Sequence, residues 1–151
     1  MSLHQSIREE VKEVMKQQDK PRLRAIRAIL AELTNELVRH NKKPQEQLPD
    51  QEVLTAINRL VKQRRDSITQ YQQAERGELV KEEEEELQIL LGYLPRQLSY
   101  QEILQAAEEK QQELGLSQPQ EKGKLIGALM KDLQGQADGA EVKKAVEELL
   151  G

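Results

Sequence analysis

The stretch Lys122–Val142, KGKLIGALMKDLQGQADGAEV, combines a short helix, a glycine stop and the start of a second helix. Apolar residues recur in it at intervals of three and four, the spacing of a helix with one buried face. They are Leu125, Ile126, Leu129, Met130 and Leu133. We predict that Gly135 ends this helix, because a residue without Cβ adopts the left-handed cap conformation at little cost. Asp138 and Glu141 have the spacing of a capping box and predict where the next helix begins.

Two further glycines lie inside the first of these helices. Gly123 and Gly127 are four residues apart and therefore share a face. A glycine inside a helix costs about 1 kcal/mol relative to alanine, so we expect another part of the backbone to come close at Gly127. We interpret the whole stretch as a structural corner between two packed helices. Its residues are Gly123, Gly127, Gly135, Asp138 and Gly139.

The composition favours helices along the whole chain. Charged residues form 33% of the chain and aromatic residues only 2%, and strong helix formers such as Leu, Glu, Gln and Lys dominate. Because sheets favour β-branched and aromatic residues, we predict an all-α protein without strands. The absence of cysteine excludes disulfides and thiol catalysis.

Helical spacing predicts four helices before residue 95 and three after it. The first helix extends to about Gln17, and Gly77 is expected to separate the third from the fourth. Pro95 should end the fourth helix, because the residue before a proline is pushed out of the helical region. The predicted starts carry capping residues, namely Ser2, Asp19, Asp50, Ser99 and Asp138.

The segment YLPRQLS, residues 93–99, is the predicted domain boundary. Ser99 and Glu102 form a second capping-box pattern directly after it, and Gly115 is placed to close the helix that follows. We therefore predict a helical N-terminal domain of about four helices over residues 1–95. A small three-helix tail domain follows over residues 96–151.

The sequence predicts neither a membrane partner nor secretion. Its beginning, MSLHQSIREEVKEVM, is amphipathic and lacks the apolar run of a signal peptide. No apolar stretch approaches the length of a membrane span. We therefore expect a cytoplasmic location. The net charge of −4 gives no general attraction to nucleic acid, so no DNA binding is expected and any RNA contact has to be local.

Residues that could carry catalysis or bind a metal ion are scarce. His4 and His40 stand far apart on polar flanks, and we interpret both as surface histidines. The glutamates Glu82–Glu86 are consecutive on a helix, point in different directions and cannot converge on one ion. We interpret this run as a solvated helix start that the helix dipole favours. We expect no catalytic residue, no metal and no cofactor.

Basic residues are the candidates for nucleic-acid contact. They are Lys62, Arg64, Arg65, Lys122, Lys124 and Lys131. Such clusters could bind phosphates. Arg64 falls close to an apolar stripe, however, and could instead pair with a glutamate of the fourth helix. Structural pairing and RNA contact both stay open for each of these residues. Without interleaved aromatic residues, we expect no sequence-specific binding of single strands.

Three stretches resemble the YqeY family. Lys62–Ser99 is similar to the central signature of that family, Lys122–Val142 to its C-terminal signature, and Asp19–Leu37 also fits. The C-terminal half further resembles the tail domain of GatB, a subunit of the tRNA-dependent amidotransferase. The resemblance implies an all-helical protein whose tail helps to hold tRNA. That enzyme's kinase and transamidation sites lie in parts that this sequence lacks.

The resemblance and the residues together predict a non-catalytic accessory protein. Its expected ligand is tRNA, and its expected partner is an amidotransferase or an aminoacyl-tRNA synthetase. The family is associated with carbon–nitrogen ligase activity with glutamine as amido donor, but the sequence offers neither an ATP site nor a glutamine-hydrolysing nucleophile. Gln136 departs from the resemblance to the GatB tail, because that tail often has a basic residue directly after the glycine that ends its central helix. In this chain that glycine is Gly135. The alternative is a protein-interaction module without an RNA role, favoured by the overall acidity and by an apolar seam along the second helix. The residues of this seam are Leu23, Ile26, Leu30, Leu33 and Leu37.

Overall fold

The structure is a computed structural model that describes all residues from Met1 to Gly151. It contains seven α-helices and no strand, which confirms the all-α fold with four helices followed by three. The helices are α1 Leu3–Gln17, α2 Lys20–Arg39, α3 Asp50–Gln73, α4 Gly77–Leu91, α5 Tyr100–Leu114, α6 Lys122–Asp132 and α7 Gly139–Leu150. The chain forms two compact units, Met1–Leu94 with α1 to α4 and Pro95–Gly151 with α5 to α7.

The N-terminal unit is built around α2 and α3. Helix α2 packs against α1, α3 and α4, and α3 lies along α4. The residues of the predicted α2 seam face this core, since Ile26, Leu33 and Leu37 are fully buried while Leu23 and Leu30 are partly buried. The seam is therefore occupied inside the unit.

Two helix boundaries in this unit differ from the sequence prediction. Asp50 does not cap α3, because Pro49 occupies the cap position. The Asp50 carboxylate instead accepts a hydrogen bond from the amide of Leu3 at 2.9 Å, which ties α3 to the start of α1. The break between α3 and α4 falls before Gly77, at Glu75, whose φ of 55° is left-handed. Gly77 is already the first residue of α4.

His4 is buried, so its interpretation as a surface residue is wrong. Only 1% of the residue is exposed, because position 4 lies on the same face of α1 as the buried Ile7. Its Nδ1 accepts a hydrogen bond from the amide of Leu48 at 2.9 Å. Burial, and secondarily the positive charge of Arg8, lower the pKa of His4. His40 is exposed and contacts Glu36 at the end of α2.

The C-terminal unit packs α5 and α6 against α7. Its buried residues include Ile103, Leu125, Leu129, Val142 and Val146. The capping box of Ser99 and Glu102 is present at the start of α5, and Gly115 ends that helix with a φ of 66°. Met130 was predicted to be buried and is 39% exposed, because it lies at the edge of the buried face of α6.

The turn between α6 and α7 is tied to the first residues of the unit. Gly135 has a φ of 76°, and its carbonyl accepts from the side-chain amide of Gln97 at 2.7 Å. The carbonyl of Gln136 accepts from the amide of Leu98 at 2.9 Å. Asp138 caps α7, as expected, but it accepts from the amide of Ala140 at 3.1 Å. Because the carboxylate reaches only the second helical residue, the predicted box with Glu141 does not form.

The glycines inside α6 do not mark a close contact between helices. A Cβ built at Gly127 or Gly123 would meet nothing within 4 Å, and both residues are exposed. The expectation of a close backbone approach at Gly127 is therefore wrong, because the buried side of α6 is formed by Leu125 and Leu129. At Gly139 a Cβ would lie 3.6 Å from the Cε of Met130, an ordinary contact.

Candidate nucleic-acid interface

Arg64 joins α3 to α4 by ion pairs. Its Nη1 lies 3.2 Å from Oε2 of Glu83, and its Nε lies 3.4 Å from Oε2 of Glu86. Arg24 of α2 donates to the other oxygen of Glu86 at 2.9 Å. The side chain of Arg64 is 24% exposed. The guanidinium of Arg64 is therefore paired with carboxylates of α4 and is not free to bind a phosphate. This outcome agrees with the pairing alternative.

The five consecutive glutamates of α4 differ in exposure, because two of them form these ion pairs. Glu86 is buried and Glu83 is partly buried, whereas Glu82, Glu84 and Glu85 are exposed. The interpretation of the run as a solvated helix start is thus wrong for Glu83 and Glu86. Their three-residue spacing places them on one face of α4, and that face meets α2 and α3. No group of three acidic or histidine side chains lies close enough together to hold a metal ion.

Lys62 and Arg65 are the exposed basic residues of α3. They are three residues apart and share a face, and neither forms an ion pair. Arg59, one turn earlier, is held by Glu32 and Glu36 at 3.4 and 2.8 Å. The cations of α3 are therefore divided between internal pairing and the surface, and Lys62 and Arg65 form the exposed pair.

Lys124 and Lys131 form a second exposed pair, on α6. They are seven residues apart, which is close to two helical turns, so both project from the outward face. Neither lies near enough to a carboxylate to form an ion pair. Lys122 is two residues before Lys124 and is therefore turned to the other side of the helix, where it is half-buried. The structure thus brings together two of the three predicted lysines.

The carboxylates beside these lysines are engaged elsewhere. Asp132 pairs with Lys110 of α5 at 2.7 Å. Glu121 accepts from the amide of Gln118 at 3.0 Å, and Asp138 caps α7. None of these carboxylates pairs with Lys124 or Lys131, so both lysines stay unpaired on the outward face of α6, even though the chain as a whole is acidic.

Helix α7 contributes two exposed lysines that the sequence analysis did not single out. Lys143 and Lys144 form no ion pair, and Lys144 lies 5.1 Å from the ring centre of Tyr100. Glu147 and Glu148 follow on the same helix and are also exposed. The charges on the outside of α7 are thus mixed. The sequence shows that these two lysines are adjacent. They were not chosen as candidates because the glutamates that follow on the same helix give this segment a mixed charge.

The N-terminal unit also contains an open cleft of about 310 Å³, lined in part by Arg22, Gln88 and Tyr93. The hydroxyl of Tyr93 donates to Oε2 of Glu10 at 2.7 Å, and Arg22 pairs with the other oxygen of this carboxylate. Burial and the neighbouring Glu10 raise the pKa of Tyr93. The carboxylate is thereby occupied by two donors of the protein itself, so the group serves to join α1, α2 and the end of α4.

Comparison with known proteins gives a family that covers both units. A family model described as YqeY-like protein matches residues 4–150. The chain belongs to the YqeY-like family. A similar protein is altered inheritance of mitochondria protein 41, mitochondrial, from Pyrenophora tritici-repentis (strain Pt-1C-BFP). It is 29% identical over 148 residues, which cover 94% of this chain and 77% of that protein.

Two observations on this YqeY-like protein concern membranes and the cellular compartment. None of its helices is both long and apolar enough to cross a membrane. The name of the similar protein places that protein in mitochondria, and a cytoplasmic location of this chain stays a prediction.

In this YqeY-like protein, Gln136 stands where the resemblance to GatB led us to expect a basic residue. Its side-chain amide donates to the carbonyl of Arg96 at 3.4 Å, and its own carbonyl is bonded to Leu98. Gln136 thus stabilises the turn without adding charge. The positive charge beside this turn comes from the lysines of α6.

Proposed function

We propose that this YqeY-like protein is an accessory protein that binds tRNA and holds it without reacting with it. The observation that carries the proposal is the outward face of α6, where Lys124 and Lys131 are exposed and unpaired. The acidic residues near this face in sequence, Glu121, Asp132 and Asp138, form no ion pair with either lysine. A polyanion is the ligand that such a face attracts.

Helix α3 supports the proposal with a second exposed pair, Lys62 and Arg65. Both pairs would contact phosphates, since the chain contains only three tyrosines and neither phenylalanine nor tryptophan on which bases could stack. Contacts of this kind position a nucleic acid but carry no sequence information. Selection of one tRNA would then depend on its shape or on a partner protein.

The partner in this proposal is a tRNA-dependent amidotransferase, the carbon–nitrogen ligase that uses glutamine as amido donor, or an aminoacyl-tRNA synthetase. The support is the resemblance of the C-terminal unit to the GatB tail. The reaction belongs to the partner, because the buried ionisable groups of this chain serve its own fold. His4 accepts from a backbone amide, and Glu86 is held by two arginines.

The test is the binding of bulk tRNA to the full chain at rising salt. Phosphate contacts make the logarithm of the affinity fall linearly with the logarithm of the salt concentration. Replacing both Lys124 and Lys131 by glutamine should lower this slope by about 2, one for each contact. The matched control replaces Lys42 and Lys43 by glutamine, which changes the net charge equally in an exposed loop.

Two results would contradict the proposal. One is the absence of tRNA binding to the unaltered chain even at low salt. The other is an equal loss of slope in the Lys124/Lys131 and Lys42/Lys43 variants, because the binding would then follow net charge and not the face of α6.

The alternative, an interaction module without an RNA role, loses one of its two supports. The seam of α2 was the surface that it offered, and Ile26, Leu33 and Leu37 of this seam are fully buried in the N-terminal unit. The remaining support is the overall acidity. A protein partner recovered in stoichiometric amount after nuclease treatment would restore this alternative.

A further inference from the structure

Gly127 occupies a position at which the fold itself does not require a glycine. Its φ is not positive, in contrast to those of Gly115 and Gly135. It lies inside α6, is exposed, and has open space where a Cβ would be. Alanine would form the helix better at such a position. Neither a turn nor internal packing therefore accounts for this glycine.

The surroundings of Gly127 are the two unpaired lysines of α6. Gly127 follows Lys124 by three residues and precedes Lys131 by four, so all three lie on the outward face. At about 1.5 Å of rise per residue, the lysines are ~10 Å apart along the helix axis. Between them the backbone of the helix is uncovered. The face thus has a lysine at each end and, at Gly127 between them, no side chain.

We propose that a strand of the RNA lies directly on this face, with its sugar–phosphate backbone against Gly127 and phosphates at Lys124 and Lys131. The inference rests on the proposed function and adds the geometry of the contact. The occupant follows from charge complementarity, since Lys124 and Lys131 have no ion-pair partner and Asp132 of the same helix is paired with Lys110. The missing side chain is what lets the strand approach the helix backbone.

The proposal is tested by placing side chains of increasing size at Gly127. Gly127→Ala and Gly127→Gln introduce good helix formers into open space, so the melting temperature should stay level or rise by a few degrees, roughly 2–4 °C. The affinity for bulk tRNA should nevertheless fall with side-chain size, by about tenfold for glutamine, as for the loss of one charge-assisted contact. The opposite directions separate a contact from a folding defect.

Gly77 supplies the matched control. It is another exposed helical glycine, at the start of α4 and away from the lysines of α6, with nothing within 4 Å of its Cβ position. Gly77→Ala and Gly77→Gln should bind tRNA as the unaltered chain does. Circular dichroism of every variant confirms that the helical content is kept.

The outcomes distinguish this inference from the function on which it rests. If the Gly127 variants bind tRNA as tightly as the unaltered chain while the Lys124/Lys131 variant loses affinity, the strand does not lie on Gly127 and only the inference is overturned. If the unaltered chain does not bind tRNA, both proposals fall. A graded loss at Gly127 and none at Gly77 supports the inference.

Discussion

Replacing His4 removes a buried hydrogen-bond acceptor, and the cost can be worked out from its contacts. The Nδ1 of His4 accepts from the amide of Leu48 at 2.9 Å, and both residues are only 1% exposed. His4→Leu would keep the apolar bulk but leave this buried N–H group without a partner. We expect the free energy of unfolding to fall by about 1–3 kcal/mol, the usual cost of an unpaired buried donor.

The same hydrogen bond makes stability depend on pH. Its acceptor lone pair requires a neutral imidazole, and burial lowers the pKa of His4 from its ordinary 6.5. Below that value the unfolded chain therefore binds a proton that the folded chain does not. Stability falls as the pH drops through 6.5 towards the folded-state pKa of His4, by up to about 1.4 kcal/mol per pH unit.

Urea unfolding followed by far-UV circular dichroism, at about pH 7.5 and about pH 5.5, measures how the free energy of unfolding depends on pH. Hydrogen exchange of the Leu48 amide reports the bond itself. Compared with the unaltered chain, His4→Leu should lose stability at the higher pH, show a smaller drop towards the lower pH, and leave the Leu48 amide less protected. His4→Asn retains an acceptor oxygen on Cγ and should recover much of the protection.

His40→Gln is the control, because it removes the exposed imidazole and leaves His4 in place. Its unfolding should keep the pH dependence that His4 causes. The reasoning is refuted if His4→Leu retains the full drop in stability between the two pH values, or if the Leu48 amide exchanges at an unchanged rate.

Two further substitutions test the ion pairs of α3 and the glycine cap of α5. Arg64→Met leaves two largely buried carboxylates of α4 short of a partner, so the free energy of unfolding should fall by about 2 kcal/mol in urea titrations. Arg65→Met, at the exposed next position, should change it by less than about 0.5 kcal/mol, and equal effects would contradict the assignment. Gly115→Ala forces a Cβ into a φ of 66° and should cost about 1–2 kcal/mol. Gly77→Ala, without a positive φ, should show no such loss of melting temperature.

The sequence by itself determined the helices, because the signals that define them lie within a few residues of each other. The spacing of apolar residues predicted four helices and then three, and the structure has them. The capping box of Ser99 and Glu102 and the left-handed Gly115 were also predicted from local pattern and confirmed. For Arg64 the sequence left two alternatives, RNA contact and pairing with a glutamate of α4, and the structure shows the pairing.

Only the tertiary structure decided what lies opposite each face. The sequence pattern predicted a surface position for His4, and it could not show that the amide of Leu48 donates to this side chain inside the core. Asp50 was predicted to cap α3, yet its carboxylate accepts from the amide of Leu3, the first residue of α1. Gly127 could equally have met a helix or solvent, and it meets solvent. The partner of a side chain depends on segments far away in sequence, and periodicity, which is a local property, does not contain that information.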